Sequence, residues 1–416
     1  MKKGAAMTKS YKIGISTLFM WLLMLLQVKF CWLIPVKSFY SINSNQQQIL
    51  MVVVLLIAFL LLKGRPFNYG TKSSRAYLGV FFLYYIVELL ISTIKNGQGI
   101  VNAFVASNFY LMLLLYFFAG YFVKRKGLDE FYHIVIWVGM ANIIVCWLQY
   151  ILAKFGVFFT QIDTSSMRFG NIRIGAISET ITSLGLFLCF SYFLNENEKR
   201  KWKYFAGFVL GVLGHLIVSK GRMSLLALFA GCCIYVLDKY KRYAKKILAV
   251  ICSIIIVCVA FLSSPIGKVY LNSLSDAETD TVSIRTREIA YYNEQTKESP
   301  IFGVGFIRDI GDQASNKMKG PVHQYSRTDV GIWGLANAMG YIGVAWYLLL
   351  TVNLLKKLYY ISKHKKDDNY YIVVAYMVFS IVYIPTMIFM NPFSITSQAV
   401  LMTLIDYNYM DARIKR

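Results

Sequence analysis

Charge is scarce in this chain, and acidic charge is the scarcer sign. Only 16% of its 416 residues are Asp, Glu, Lys or Arg, and 21 acids face 44 basic residues. A soluble domain needs polar side chains to cover its surface, so a composition that is 57% hydrophobic argues against one. Histidine is rare. His133, His215, His323 and His364 are scattered without metal-ligand spacing, which speaks against a metal site. Cys31, Cys146, Cys189, Cys232, Cys233, Cys252 and Cys258 all lie within apolar runs or at their ends, so no disulfide staples the longest polar segment. The short alternating segments of a transmembrane barrel are missing too.

What is present is a series of apolar blocks of about twenty residues, the length that spans a hydrocarbon core of roughly 30 Å. In lipid each backbone amide must be satisfied within its own segment, so such blocks become helices. Twelve candidate spans follow: 13–34, 48–62, 76–94, 103–123, 131–152, 177–194, 203–219, 222–238, 246–264, 329–354, 370–391 and 394–409. Met1-Lys2-Lys3 precedes the first of them as in a signal peptide. The apolar stretch is too long for one and no small-residue cleavage site follows, so a retained helix is expected. The expected fold is therefore an all-α polytopic membrane protein of about 12 transmembrane helices. It divides into a bundle of helices 1–9 over residues 1–264, a large polar loop over 265–328, and helices 10–12 with the C-terminus over 329–416.

The formal charge of +23 might suggest nucleic acid, but the positives cluster in alternate loops: Lys2 to Lys12, Lys63 to Arg75, Lys124 to Lys126, Lys199 to Lys203, Lys239 to Lys246, Lys356 to Lys366 and Arg413 to Arg416. Those segments hold 28 of the 44. With twelve spans all seven fall on one side, which the positive-inside rule makes cytoplasmic, together with both termini. The charge then serves orientation and anionic membrane lipid, not nucleic acid. Residues 265–328 fall on the outer face, and a polar segment that long is usually functional or disordered.

The positives that break the inside rule stand at the outer starts of helices. Arg222 follows the hairpin Ser219-Lys220-Gly221, Arg173 precedes the sixth span, and His323, Arg327 and Asp329 precede the tenth. Free amides and the macrodipole favour an anion at such starts, and an arginine fork grips phosphate oxygens bidentately. The plainer reading is a basic side chain snorkelling to headgroups. Glu88 and His215 lie within spans, where ionisable groups are functional by default. Asp406 reads as a solvated residue near a cytoplasmic helix end. Tyr291, Tyr292 and Tyr325 are candidate stacking partners for sugar rings.

Four stretches carry a resemblance. Ser219-Lys220-Gly221-Arg222-Met223-Ser224 looks like the short Ser/Gly/Arg motif of the O-antigen ligase and polymerase superfamily. Arg285-Thr286-Arg287, Tyr291-Tyr292 and Ser299-Pro300-Ile301-Phe302-Gly303-Val304-Gly305-Phe306 resemble that family's loop arginine and its Pro-x-x-Gly-x-Gly segment. His323-Gln324, then Thr328-Asp329-Val330-Gly331-Ile332 and Gly340-Tyr341-Ile342-Gly343, look like the end of the family's loop running into a glycine-punctuated helix. Arg173-Ile174-Gly175 is similar to another recurrent arginine. Gln324 stands where family ligases usually show Asn, and the Thr-Asp-Val-Gly run is more like Wzy-type polymerases of capsule and exopolysaccharide systems.

The resemblance implies a membrane glycosyltransferase of the GT-C-like class in a bacterial inner membrane, its long extracytoplasmic loop between helices 9 and 10. The implied donor is a growing glycan on a polyprenyl diphosphate (undecaprenyl diphosphate) and the acceptor a lipid-linked repeat unit. No cofactor or metal is implied, and a chain-length regulator and a flippase are the expected partners. A departing diphosphate gathers negative charge, which preorganised donors stabilise. Arg173, Arg222, Arg285 and Arg287 are the candidates, with Arg222, Arg287 and His323 assigned to catalysis. His323 is the general base and Asp329 its substitute. Gly303 and Gly305 either bring backbone against the substrate or only shape a turn. An O-antigen ligase shares fold and donor and differs in acceptor. A flippase or other transporter is the rival class, but the chain shows no evident halves.

Overall fold

The computed structural model describes residues 14–28, 44–159, 167–168, 171–175, 180–195, 198–219, 221–241, 283–321, 325–385 and 392–414. The helices, in chain order, are α1 Ile15–Gln27, α2 Ser44–Leu61, α3 Lys72–Asn96, α4 Ile100–Lys126, α5 Leu128–Ala153, α6 Thr180–Phe193, α7 Lys201–Leu213, α8 Arg222–Lys239, α9 Ser283–Glu298, α10 Asp312–Lys319, α11 Gly331–His364, α12 Asp368–Val382 and α13 Pro392–Ile414. A π-helical turn, Gly214–Val218, prolongs α7. The strands found among the described residues are one short antiparallel pair, Met167–Arg168 with Asn171–Ile172, in which Met167 faces Ile172.

Helices overlap eleven of the twelve candidate spans, while 246–264 and parts of 13–34, 177–194 and 370–391 lie outside the described residues. Among the described residues four helices are long and apolar enough to cross a membrane: α3, α4, α5 and α11. A helix such as α1, with 13 residues, falls short of a core of roughly 30 Å at about 1.5 Å per residue. The polarity of α3 is the reverse of a soluble helix. Val80, Leu83, Ile86, Leu90 and Ile94 form an exposed apolar stripe, with Ile94 84% exposed, while Ser74, Glu88 and Ser92 point into the protein. An apolar surface of this kind is stable against hydrocarbon and costly against water.

Asp406 corrects the solvated reading given to it, because it is fully buried. Viewed on α13 alone it sits near a helix end, but α3, α4 and α11 close over it. The Lys357 ammonium lies 2.6 Å from Asp406 Oδ1 and donates also to Thr71 Oγ1 at 2.8 Å and Ser74 Oγ at 2.7 Å. Asp406 Oδ2 accepts from the Thr71 amide at 3.2 Å, the Thr71 hydroxyl at 3.0 Å and the Tyr116 hydroxyl. Every proton of the ammonium has an acceptor, which is the condition under which a buried ion pair is tolerated.

The tenth span differs most from expectation. α11 is two helices joined at Gly340, whose φ of 62° and ψ of −173° are not helical. The second part, from Tyr341 to His364, is long enough to cross by itself, and the first nine residues form a separate short helix that helps to build the candidate site.

Removing one partner of the buried pair leaves the other as an uncompensated charge. Asp406→Ala should cost about 3–5 kcal/mol and lower the apparent unfolding temperature of the purified protein in detergent. The paired replacement Lys357→Met with Asp406→Leu should recover most of that loss.

Candidate functional site

The break in α11 is filled by another part of the chain. Without the break, Asn337 O would accept from the Tyr341 amide. It accepts instead from the Val304 amide at 2.6 Å, and the Tyr341 amide donates to Pro300 O at 2.8 Å. The Pro-x-x-Gly-x-Gly stretch is thereby docked into the gap. Gly303 has φ +70°, and a Cβ there would stand 2.5 Å from Asn337 O and 2.6 Å from Gly340 N. The stretch is also tied to the C-terminal end of α3. Lys95 Nζ donates to Gly303 O at 2.6 Å, Asn96 Nδ2 to Val304 O at 2.9 Å, and the Phe306 amide to Ser92 Oγ at 2.8 Å. Gly303 and Gly305 are both buried, and they serve this close packing of backbone on backbone and side chain. Of the two roles held open for them, the geometry displays the turn.

Arg327 completes the anchorage from the other side. It is buried, and its Nη1 donates to Gly305 O at 2.9 Å, while Nε and Nη2 have no hydrogen-bond partner. Burial lowers its pKa from the ordinary arginine value, against the opposing influence of Tyr292, Tyr110 and Tyr291.

Helix α9 lies against the first part of α11, held by Asn337 Nδ2, which reaches Tyr292 O at 3.2 Å and Gln295 Oε1 at 3.0 Å. The tyrosines proposed as sugar platforms form a small core of their own. Tyr292 and Tyr325 are buried, and the Tyr291 ring lies 5.5 Å from each, edge-on to Tyr292 and tilted to Tyr325. Tyr291 and Tyr292 donate to Asn316 O and Met318 O of α10 at 2.8 and 2.6 Å. Their hydroxyls and much of their faces are spent on holding the loop together.

A second group of polar residues gathers around Arg173. Arg173 Nε donates to Ser219 O at 2.8 Å, and the Ile174 amide to Val218 O at 3.0 Å, so the segment before α6 lies along the hairpin that opens α8. His215 shapes that hairpin. Its carbonyl accepts from Ser219 Oγ at 3.1 Å and from the Gly221 amide at 3.3 Å, and its ring Nδ1 lies 3.1 Å from Ser224 Oγ. Burial lowers the Arg173 pKa, which Asp329 counters and Arg285 reinforces, so these three charges share one electrostatic neighbourhood.

Glu288 belongs to the same neighbourhood, and reading the sequence missed it. It is buried, its Oε1 accepts from the Ser326 amide at 3.2 Å, and its Oε2 has no partner. Burial pushes its pKa up to about 6, with Asp329 adding to the rise while the Ser326 amide and Arg285 oppose it. A signal existed. Arg285, Glu288, Tyr292 and Thr296 recur at three- and four-residue spacing, one stripe of a helix, and its last three members are buried.

The structure thus brings together Arg173, Arg285 and Asp329 beside the hairpin of Ser219 and Gly221. Arg287 is exposed, and two residues along a helix place it about 200° round from Arg285, on another side of α9. Arg222 opens α8, but its side chain is outside the described part, as is the whole of His323.

Residues 206–348 match the family model described as O-Antigen ligase. The matched stretch runs from α7 through the hairpin, the whole loop and the break at Gly340, and it supports the O-antigen ligase/polymerase superfamily. Arg173 lies ahead of it. No curated protein matches the chain. The apolar helices suggest a membrane protein, and its residues 206–348 are similar to the O-antigen ligase family.

The docking of the glycine stretch can be tested on its own. Gly303→Ala meets main-chain atoms and an unfavourable φ together, at a cost of order 1–3 kcal/mol for the strain alone. Trypsin should then cut faster at Lys297 and Arg308, while Gly79→Ala, where an added Cβ meets nothing within 4 Å, should leave the digestion pattern unchanged.

Proposed function

We propose that this protein is a polysaccharide polymerase of the bacterial cytoplasmic membrane. It transfers a growing glycan from polyprenyl diphosphate to a lipid-linked repeat unit at the outer face. The observation that carries the reading is the docking of Arg173 on the hairpin before α8, in the electrostatic neighbourhood of Arg285, within and beside the stretch that matches the O-antigen ligase family.

Two cations beside a helix start form a site for a diphosphate. The guanidinium groups meet its oxygens, and the first amides of α8, which have no acceptor within their own helix, add to the field. As the anomeric C–O bond breaks, charge builds on the departing diphosphate, where fixed donors act most strongly. Arg222, at the first position of α8, supplies a third cation. The reaction needs no metal on this reading, because arginine performs the charge neutralisation. The orientation rests on the seven basic segments, which leave the 265–328 loop outside when twelve spans are counted. A chain-length regulator and the flippase that delivers the repeat unit are the implied partners.

The description of the matched family favours a second reading, a ligase that passes the glycan to a different acceptor. The Thr328-Asp329-Val330-Gly331 run and Gln324 favour the polymerase. Purified protein given lipid-linked repeat units alone decides between them. A ladder of products supports the polymerase, and transfer only after addition of another glycolipid supports the ligase.

Arg222→Ala should lower polymer formation by about 10²–10³-fold while lipid-linked single repeats persist, and loss of outer-leaflet repeats would point to a flippase. Arg222→Lys should recover little, since a point charge lacks the bidentate fork; near-normal polymer would mean that charge alone suffices. His323→Ala should reduce yield if His323 takes part in proton transfer, and unchanged chain length and yield would remove it from the mechanism.

A further inference from the structure

We propose that Glu288 is the catalytic residue that takes the proton of the acceptor sugar's hydroxyl group. The inference rests on the glycan-transfer reading above and adds a residue to it.

Three observations converge on this side chain. It is anchored through one oxygen only, by the Ser326 amide at 3.2 Å, in the turn that leads into α11. Its other oxygen, Oε2, is buried and has no donor. It also stands among Arg285 and Asp329, the charges that surround Arg173 where the leaving group is to be held.

A buried carboxylate oxygen left without a donor is costly, and an incoming hydroxyl supplies the missing one. The O–H group donates into Oε2, its oxygen attacks the anomeric carbon, and the proton passes to the carboxylate as the C–O bond forms. The electron pair of the breaking C–O bond leaves with the diphosphate, beside Arg173 and Arg285. The arrangement sets the proton acceptor and the leaving-group cations within one site. Oε2 is covered in this structure, so the acceptor reaches it only by displacing the groups that cover it.

Among the described residues, its own helix contributes Arg285 and Tyr292, the turn before α11 contributes Asp329 and the Ser326 amide, and α10 meets α9 through the carbonyls of Asn316, Lys317 and Met318. Burial and Asp329 push the carboxyl up to about 6, against the Ser326 amide and Arg285. A base must be deprotonated to work, so the rate should fall as pH drops through about 6.

The test is the pH profile of glycan transfer by the full-length protein in liposomes, supplied with lipid-linked repeat units. Glu288→Gln keeps the acceptor for the Ser326 amide and removes the base. It should lower kcat by about 10²–10⁴-fold, leave KM and the apparent unfolding temperature near wild type, and abolish the acid limb. Glu288→Asp keeps the charge with a shorter reach, and should retain an acid limb at a reduced rate. A Glu288→Gln enzyme that runs close to the wild-type rate, or one whose residual activity keeps the same acid limb, overturns the assignment, as does a Glu288→Asp enzyme as fast as wild type. Should the wild-type protein transfer no glycan to any acceptor, the proposed function itself falls. An active wild type with an indifferent Glu288→Gln variant removes Glu288 alone.

Discussion

The exchange of backbone hydrogen bonds at Gly340 is the constraint on which the rest of the site depends. An unsatisfied peptide group away from water costs several kcal/mol, so a helix breaks there only if other groups take over its bonds. Pro300 O and the Val304 amide do so for Tyr341 and Asn337. Because those partners come from one short stretch, breaking the helix and docking the loop are a single event. The docked stretch in turn sets where α9 ends, since it follows α9 after one turn of chain. Arg285 and Glu288 are therefore placed by hydrogen bonds made well away from them.

The charges fall into two groups. Arg327 is committed to Gly305 O and has the aromatic rings of Tyr110, Tyr291 and Tyr292 for company. Arg173, Arg285, Asp329 and Glu288 form the other, in which Arg173 is bonded to Ser219 O beside the start of α8. A cation such as Arg327, buried and bonded once, holds a loop in place. Cations at a surface beside free helix amides are suited to an anion that arrives and departs. Arg327 and Arg173 thus do different work, although in the sequence each reads as a basic residue ahead of a helix start.

Length and hydropathy made most of the fold legible, because a lipid environment forces both on the chain. The ends of α3, α4 and α5 fall within a few residues of the expected spans for this reason. The motif glycines were legible as special backbone, but their partner, Gly340, read as mere punctuation in a helix, since nothing local announces a break that a distant loop must fill. Asp406 was misjudged because its burial is made by three other helices. Glu288 was passed over directly after two arginines, where a carboxylate reads as ordinary helix charge, and only its three-dimensional neighbours Ser326 and Asp329 single it out. Arg287 looked equivalent to Arg285 in a linear motif, yet two helical steps turn them to different sides. The placement of Arg222's side chain and of His323 is untouched by any of this, since both lie outside the described residues.

Glu88, the intramembrane acid, fits into the same chain of dependence. It accepts from Ser92 Oγ at 3.3 Å, and the Tyr84 hydroxyl lies 3.2 Å from its other oxygen. Ser92 accepts the Phe306 amide, and Tyr84 also reaches Met339 O, the last carbonyl before the break. A buried carboxylate beneath the break thus orients the two hydroxyls that meet its two sides, the docked loop and the interrupted helix. Its position in the span, which marked it as functional in the sequence, is explained without any contact to substrate. The acid that orients the scaffold and the acid that faces the arginines are separate groups, so a change at Glu88 acts on the shape of the site and a change at Glu288 on its chemistry.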